Sequence, residues 1–152
     1  MTKKISTTKQ GFTIIEVVLV LAIAGLIFLM VFVAFPALQR NQRDTQRRQD
    51  YADLGAAVIN STTNSNGTFN PGSIEAIEIG NNGQDPDGTG YDINVITTST
   101  QAVNTPSANE VYVIRQGICT GDTGSFNSSQ SLNTFVIYGG LSSGTYCREF
   151  GL

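Results

Sequence analysis

Residues 12–38 read FTIIEVVLVLAIAGLIFLMVFVAFPAL, and 23 of these 27 positions are hydrophobic. The rest of the 152-residue chain is only about 30% hydrophobic, so this block carries the apolar excess behind an overall value of 40%. Residues 17–35 hold no charged side chain, and as a helix the whole block reaches about 40 Å, enough to cross a hydrocarbon core of about 30 Å. A secretory signal peptide shares the basic start and apolar core, and Ala22-Ile23-Ala24 offers a small-residue cleavage pattern. Cutting there would leave residues 25–38 as a second apolar stretch and would put Glu16 inside the core. An intact membrane helix is therefore the better reading.

Charge is uneven on either side of the block. Residues 1–11 carry Lys3, Lys4 and Lys9; residues 12–38 carry only Glu16; residues 39–53 carry four Arg against three Asp; residues 54–152 carry two Arg against eight acids. The net −3 thus hides an acidic distal two-thirds at −6. Such a head repels the phosphates of nucleic acid and of anionic membrane, so direct nucleic-acid binding is not expected. Basic residues flank the span on both sides, and positive-inside counting does not orient it. The chain has no His, no Trp and two Cys. Those absences exclude a Ser-His-Asp or Cys-His pair, a His-ligated metal and a CxxC centre, and an enzyme is not expected.

Beyond the block, residues 39–62 are expected to continue the helix into water. Tyr51, Leu54, Gly55, Val58 and Ile59 recur at helical spacing and form one packing face. The arginines read as a solvated face, with Asp44 four residues from both Arg40 and Arg48. A loop rich in Asn, Ser, Thr and Gly follows over residues 60–72 and includes Pro71. In the remaining head, within residues 63–152, the period shortens to about two, and candidate strands fall at 73–79, 91–96, 111–115, 135–138 and 145–150. The last two are joined as a hairpin through residues 139–144. The expected architecture is α+β, an antiparallel sheet covered by the apolar face of the 51–59 helix, because the head alone holds too few large apolar side chains for a thick core. Cys119 and Cys147 have no competing thiol, so a disulfide is the default. By loop-closure arithmetic it contributes about 3.6 kcal/mol for a loop of roughly 29 residues, and it favours a head outside the cytoplasm.

Gly11-Phe12-Thr13-Ile14-Ile15-Glu16, set after a short lysine-containing leader and before the apolar run, resembles the start of a type IV prepilin. The resemblance covers residues 1 to about 60 by motif and the head only by layout, and it implies a pilin fold. It also implies that residues 1–11 are a leader held in the cytoplasm, and that a membrane prepilin peptidase cuts between Gly11 and Phe12. The same enzyme then N-methylates Phe12. Residues 12–38 become a membrane and polymerisation helix, with Thr13 and Glu16 serving assembly. Gly25 matches a helix-weakening glycine of the family, and Pro36, later than the family's usual proline, removes one helix hydrogen bond and bends the chain. A carboxylate in a membrane helix is costly, and the ammonium freed at Phe12 of a neighbouring subunit is its natural partner inside a filament.

Asp85-Pro86-Asp87-Gly88-Thr89-Gly90-Tyr91-Asp92 places three carboxylates on a Gly-rich turn. Asp85, Asp87 and Asp92 are hard ligands suited to Ca2+, with a faint likeness to the calcium loop of pseudopilins. A plain Asp-Gly turn accounts for the same residues. No other cofactor is expected. Sequons at Asn60, Asn66 and Asn127 arise readily in so polar a composition.

The function expected from these readings is that of a structural subunit of a type IV pilus, of the adhesion, motility or uptake class. It is made as a single-pass precursor in the cytoplasmic membrane with its head outside, and it polymerises with other pilin subunits on a pilus assembly platform. A minor pilin or type II secretion pseudopilin is the alternative within the family. A non-polymerising, single-pass anchored surface protein is the alternative outside it.

Overall fold

The computed structural model of the chain describes residues 11–80, 83–98, 101 and 103–152. Of the expected leader only Gly11 falls among them. The chain divides into an N-terminal unit ending at Gln39 and a head unit beginning at Arg40.

In the N-terminal unit, helix α1 (Ile14–Asn64) begins and runs unbroken through Pro36. Its large apolar side chains over the first 25 residues are exposed, and the helix is long and apolar enough to cross a membrane. An all-round apolar surface of this kind is stable only in lipid or against other helices.

In the head unit the same helix turns one face to a sheet. Tyr51, Leu54, Gly55 and Val58 are buried as their spacing predicts, and Ile59 is half-buried. The helix reaches Asn64, beyond the loop expected from residue 60. Asn70 caps a short second helix, α2 (Pro71–Glu75), by accepting the Ser73 N–H at 3.4 Å. The strand expected at 73–79 is therefore not formed. Pro71 at the first helical position suits a helix start, and Ile74 is buried from the helix.

Six strands follow: β1 (Asp92–Ile96), β2 (Glu110–Arg115), β3 (Gly117–Thr120), β4 (Thr123–Phe126), β5 (Thr134–Leu141) and β6 (Gly144–Gly151). The main sheet has the order β1-β2-β5-β6. It is rich in antiparallel pairs but not wholly antiparallel, because β1 pairs with β2 in parallel, Ile93 opposite Val111. The β3–β4 hairpin, which the periodicity did not reveal, forms a second two-stranded sheet.

The hairpin explains the continuous burial of β5. One face of the main sheet gives Val111, Val113, Phe135 and Ile137 to the core containing Tyr51, Leu54 and Val58. The other gives Ile114, Val136 and Tyr138 to a second cluster that includes Cys119 and Phe126 of the hairpin. A strand covered on both faces reads as an apolar run rather than an alternation. The disulfide joins Cys119 of β3 to Cys147 of β6 with Cα atoms 5.8 Å apart, tying the hairpin to the sheet edge. Close approach selects a glycine at Gly139, where a Cβ would lie 2.3 Å from the Tyr51 ring.

Candidate functional site

Gly11, Phe12 and Thr13 are exposed and outside regular structure, and the helix starts one residue later. Thr13 Oγ1 accepts the Glu16 N–H at 3.4 Å, so Thr13 is the N-cap and Glu16 the third helical residue of a Thr-x-x-Glu start. This gives the two residues a local role that the sequence reading did not assign. Capping fixes where the helix begins, and the Glu16 carboxylate sits where the helix dipole favours negative charge. Phe12 is 85% exposed. The Gly11–Phe12 bond thus lies in accessible, non-helical chain immediately before a capped helix. A Cβ on Gly25 would meet nothing within 4 Å among the described residues, so their packing does not require glycine there.

The head holds a second constellation, centred on Arg47. Its side chain is fully buried. One terminal nitrogen donates to Asp85 at 2.7 Å and to Asp87; the other donates to Ser142 Oγ at 2.7 Å and to Asp44 at 3.3 Å. Asp44 also accepts the Ser142 N–H at 2.7 Å and the Ser143 hydroxyl at 3.0 Å. Asp85 accepts the N–H groups of Asp87 and Thr89, each at 3.0 Å, and the Thr89 hydroxyl at 2.8 Å. Arg47 therefore fastens the Asp-rich turn and the two-residue β5–β6 turn to the helix. One turn further along, Asp50 accepts the Tyr91 hydroxyl at 2.7 Å, and Tyr51 donates to the Gly140 carbonyl at 2.7 Å.

Burial works against both Asp44 and Asp85 as anions, but hydrogen bonds from Ser142 and Ser143 to the first, and from Arg47 and Thr89 to the second, outweigh it. Both carboxyls are held below the ordinary aspartate value. Burial, with the hydrogen bond to Asp50, pushes the Tyr91 phenol far up; burial does the same to Tyr51. These groups keep single protonation states across the physiological range. They are built to hold the head together.

This arrangement corrects the solvated-face reading of the arginines at Arg47. Asp44 pairs with Arg47, three residues on, in place of Arg40 or Arg48, while Arg48 lies 5.7 Å over the Tyr146 ring. The signal was present in the spacing, since Asp44 and Arg47 continue the 51, 54, 58 face toward the N-terminus. Of the calcium candidates, Asp85 and Asp87 are engaged by Arg47, with Asp87 also paired to Arg43, and exposed Asp92 opens β1. Among the described residues no group of three or more His, Cys, Asp or Glu side chains is placed to hold a metal. Comparison of the chain with family models, with curated proteins and with solved structures yields no match.

Proposed function

We propose that this chain is the precursor of a type IV pilin, a structural subunit with no enzymatic activity of its own. It inserts in the cytoplasmic membrane with its head outside, is cut between Gly11 and Phe12 by a prepilin peptidase that also methylates Phe12, and polymerises on an assembly platform into a surface filament. The observation that carries the reading is the exposed, non-helical Gly11–Phe12 bond next to a capped helix whose large apolar side chains, from Ile14 to Leu38, are left exposed by the described residues. Proteases bind extended chain, and a helix running through the bond would have to unwind first. The apolar helix gains no hydrophobic free energy on leaving lipid for other helices, so packing, Glu16 pairing and energised machinery must drive polymerisation. The head supplies a disulfide-tied, acidic surface.

N-terminal sequencing and intact mass of protein sheared from the cell surface test this reading. The expected product begins at Phe12 and carries one added methyl group. Recovery only of chains beginning at Met1, from membranes and without a filament fraction, refutes it. An antibody to the head should decorate fibres along their whole length; decoration confined to tips assigns a minor subunit instead.

A further inference from the structure

All three lysines of the chain lie in residues 1–11, so the chain beyond the cleavage point has six arginines as its only side-chain cations. Their environments differ. Arg47 is buried and paired, Arg43 pairs with Asp87, and Arg48, Arg115 and Arg148 lie over the rings of Tyr146, Phe69 and Phe150. Arg40 stands apart. It is exposed, and among the described residues no carboxylate, hydrogen-bond acceptor or ring engages it. Its partner by helical spacing, Asp44, is taken by Arg47, Ser142 and Ser143.

We propose that Arg40, with Arg43 beside it, binds the phosphate groups of phospholipids on the outer surface of the membrane while the precursor is inserted. The assignment rests on the membrane-inserted reading given above. Leu38 is the last apolar residue of the block. At the helical rise, Arg40 follows it by about 3 Å, Arg43 by about 8 Å and Arg48 by about 15 Å. The headgroup layer on each side of a bilayer is about 5–8 Å deep. With Leu38 at the hydrocarbon boundary, and the surplus length of the block taken up by tilt or at its N-terminal end, Arg40 falls within the phosphates, Arg43 at their outer limit and Arg48 beyond them. The guanidinium fork matches a phosphate bidentately, where an ammonium would act as a point charge. Asp87 faces Arg43 and opposes an anion there, so Arg40 is the principal ligand. The acidic head is repelled by an anionic surface, and direct contact with phosphate holds its base at the membrane without requiring net negative charge. A zwitterionic phospholipid is sufficient.

The test uses the full chain, with arginine Cζ carbons labelled with 13C, inserted in phosphatidylcholine vesicles. Carbon–phosphorus dipolar dephasing is measured by solid-state NMR, with insertion checked by protease protection of residues 12–38. The wild-type chain should dephase against the lipid phosphorus. The R40Q/R43Q variant should lose most of that effect, and R48Q should retain it. Inorganic phosphate, added at its own resolved resonance, should not replace the lipid signal. Undiminished dephasing in R40Q/R43Q overturns the proposal, as does dephasing against inorganic phosphate alone. Absence of phosphorus dephasing with dephasing against carboxylates of a separately labelled second copy also overturns it and assigns Arg40 to a neighbouring head. Failure of the span to become protected overturns the membrane reading itself, and this assignment with it.

Discussion

Replacing Arg47 with Met keeps most of the buried stem and removes the charge that three carboxylates share. Breaking a buried ion pair by deleting one partner costs about 3–5 kcal/mol, because the remaining charge is left uncompensated. Here Asp85 is 5% exposed and Asp44 7% exposed, so neither recovers full hydration. Yet Asp85 keeps three hydrogen bonds from Asp87 and Thr89, and Asp44 keeps two from Ser142 and Ser143. These dipoles place the expected loss at the lower end, about 3 kcal/mol, or a fall of about 2 M in urea midpoint for a slope near 1.5 kcal/mol/M. The assay is urea unfolding of the oxidised full chain in detergent micelles, followed by near-ultraviolet circular dichroism. Tyr91 and Tyr146 pack 5.8 and 5.7 Å from Tyr51, one turn from Arg47, and report on this region. The pH dependence has a definite sign. Asp44 and Asp85 have folded values below the ordinary 3.8, so the stability they contribute is present above that value and is lost as pH falls through the folded values. Without Arg47 the folded value of Asp85 rises, and protonation relieves the variant before it harms the wild type. The deficit of R47M should therefore shrink between pH 5 and pH 3. An unchanged midpoint at neutral pH, or a deficit that widens toward acid, refutes the reasoning.

Four further outcomes are expected. Gly139→Ala puts a methyl group against the Tyr51 ring and should destabilise the head by about 1–3 kcal/mol, the range for overpacking. Gly151→Ala meets nothing within 4 Å and should leave the urea midpoint unchanged. Replacing Cys119 and Cys147 together by Ser opens a loop of sequence separation 28 and should cost about 3–4 kcal/mol at the same assay; an equal midpoint would mean that the hairpin holds without its tether. Glu16→Ala should leave cleavage at Gly11 largely intact, read by intact mass, while reducing the filament fraction; normal filament yield would remove the charge-pairing argument for Glu16.

Legibility in the sequence followed the physics of each segment. The membrane-length helix and its continuation were readable because helical period and apolar content act locally, and because Tyr51, Leu54, Gly55 and Val58 report one face over two turns. Strands β1, β2, β5 and β6 carry enough β-branched and aromatic residues to be seen within a few positions. Two elements misled. The isoleucines of 73–79 suggested a strand, but Asn70 and Pro71 start a helix there by capping, a local signal that outweighs β propensity. The β3–β4 hairpin, with Gly117, Cys119, Gly121 and Gly124 among few large apolar residues, has almost no pattern of its own. It is held by the Cys147 disulfide and by burial of Tyr138, which are distant in sequence. The parallel pairing of β1 with β2 was equally invisible, since side-chain alternation does not encode strand direction in a sheet.

The long apolar helix and the paired cysteines were legible from residue type and spacing, because helical apolar content and thiol pairing are properties of short segments or of composition. The partner each arginine meets was not. Arg40, Arg43, Arg47 and Arg48 share one chemistry and one helix, and only packing assigns Arg47 to three carboxylates, Arg48 to a ring and Arg40 to solvent. That assignment depends on turns 38 and 95 residues away, which bring Asp85 and Ser142 to the helix. A buried charge exists only where the fold delivers partners from several segments at once, and local pattern contains no record of that meeting.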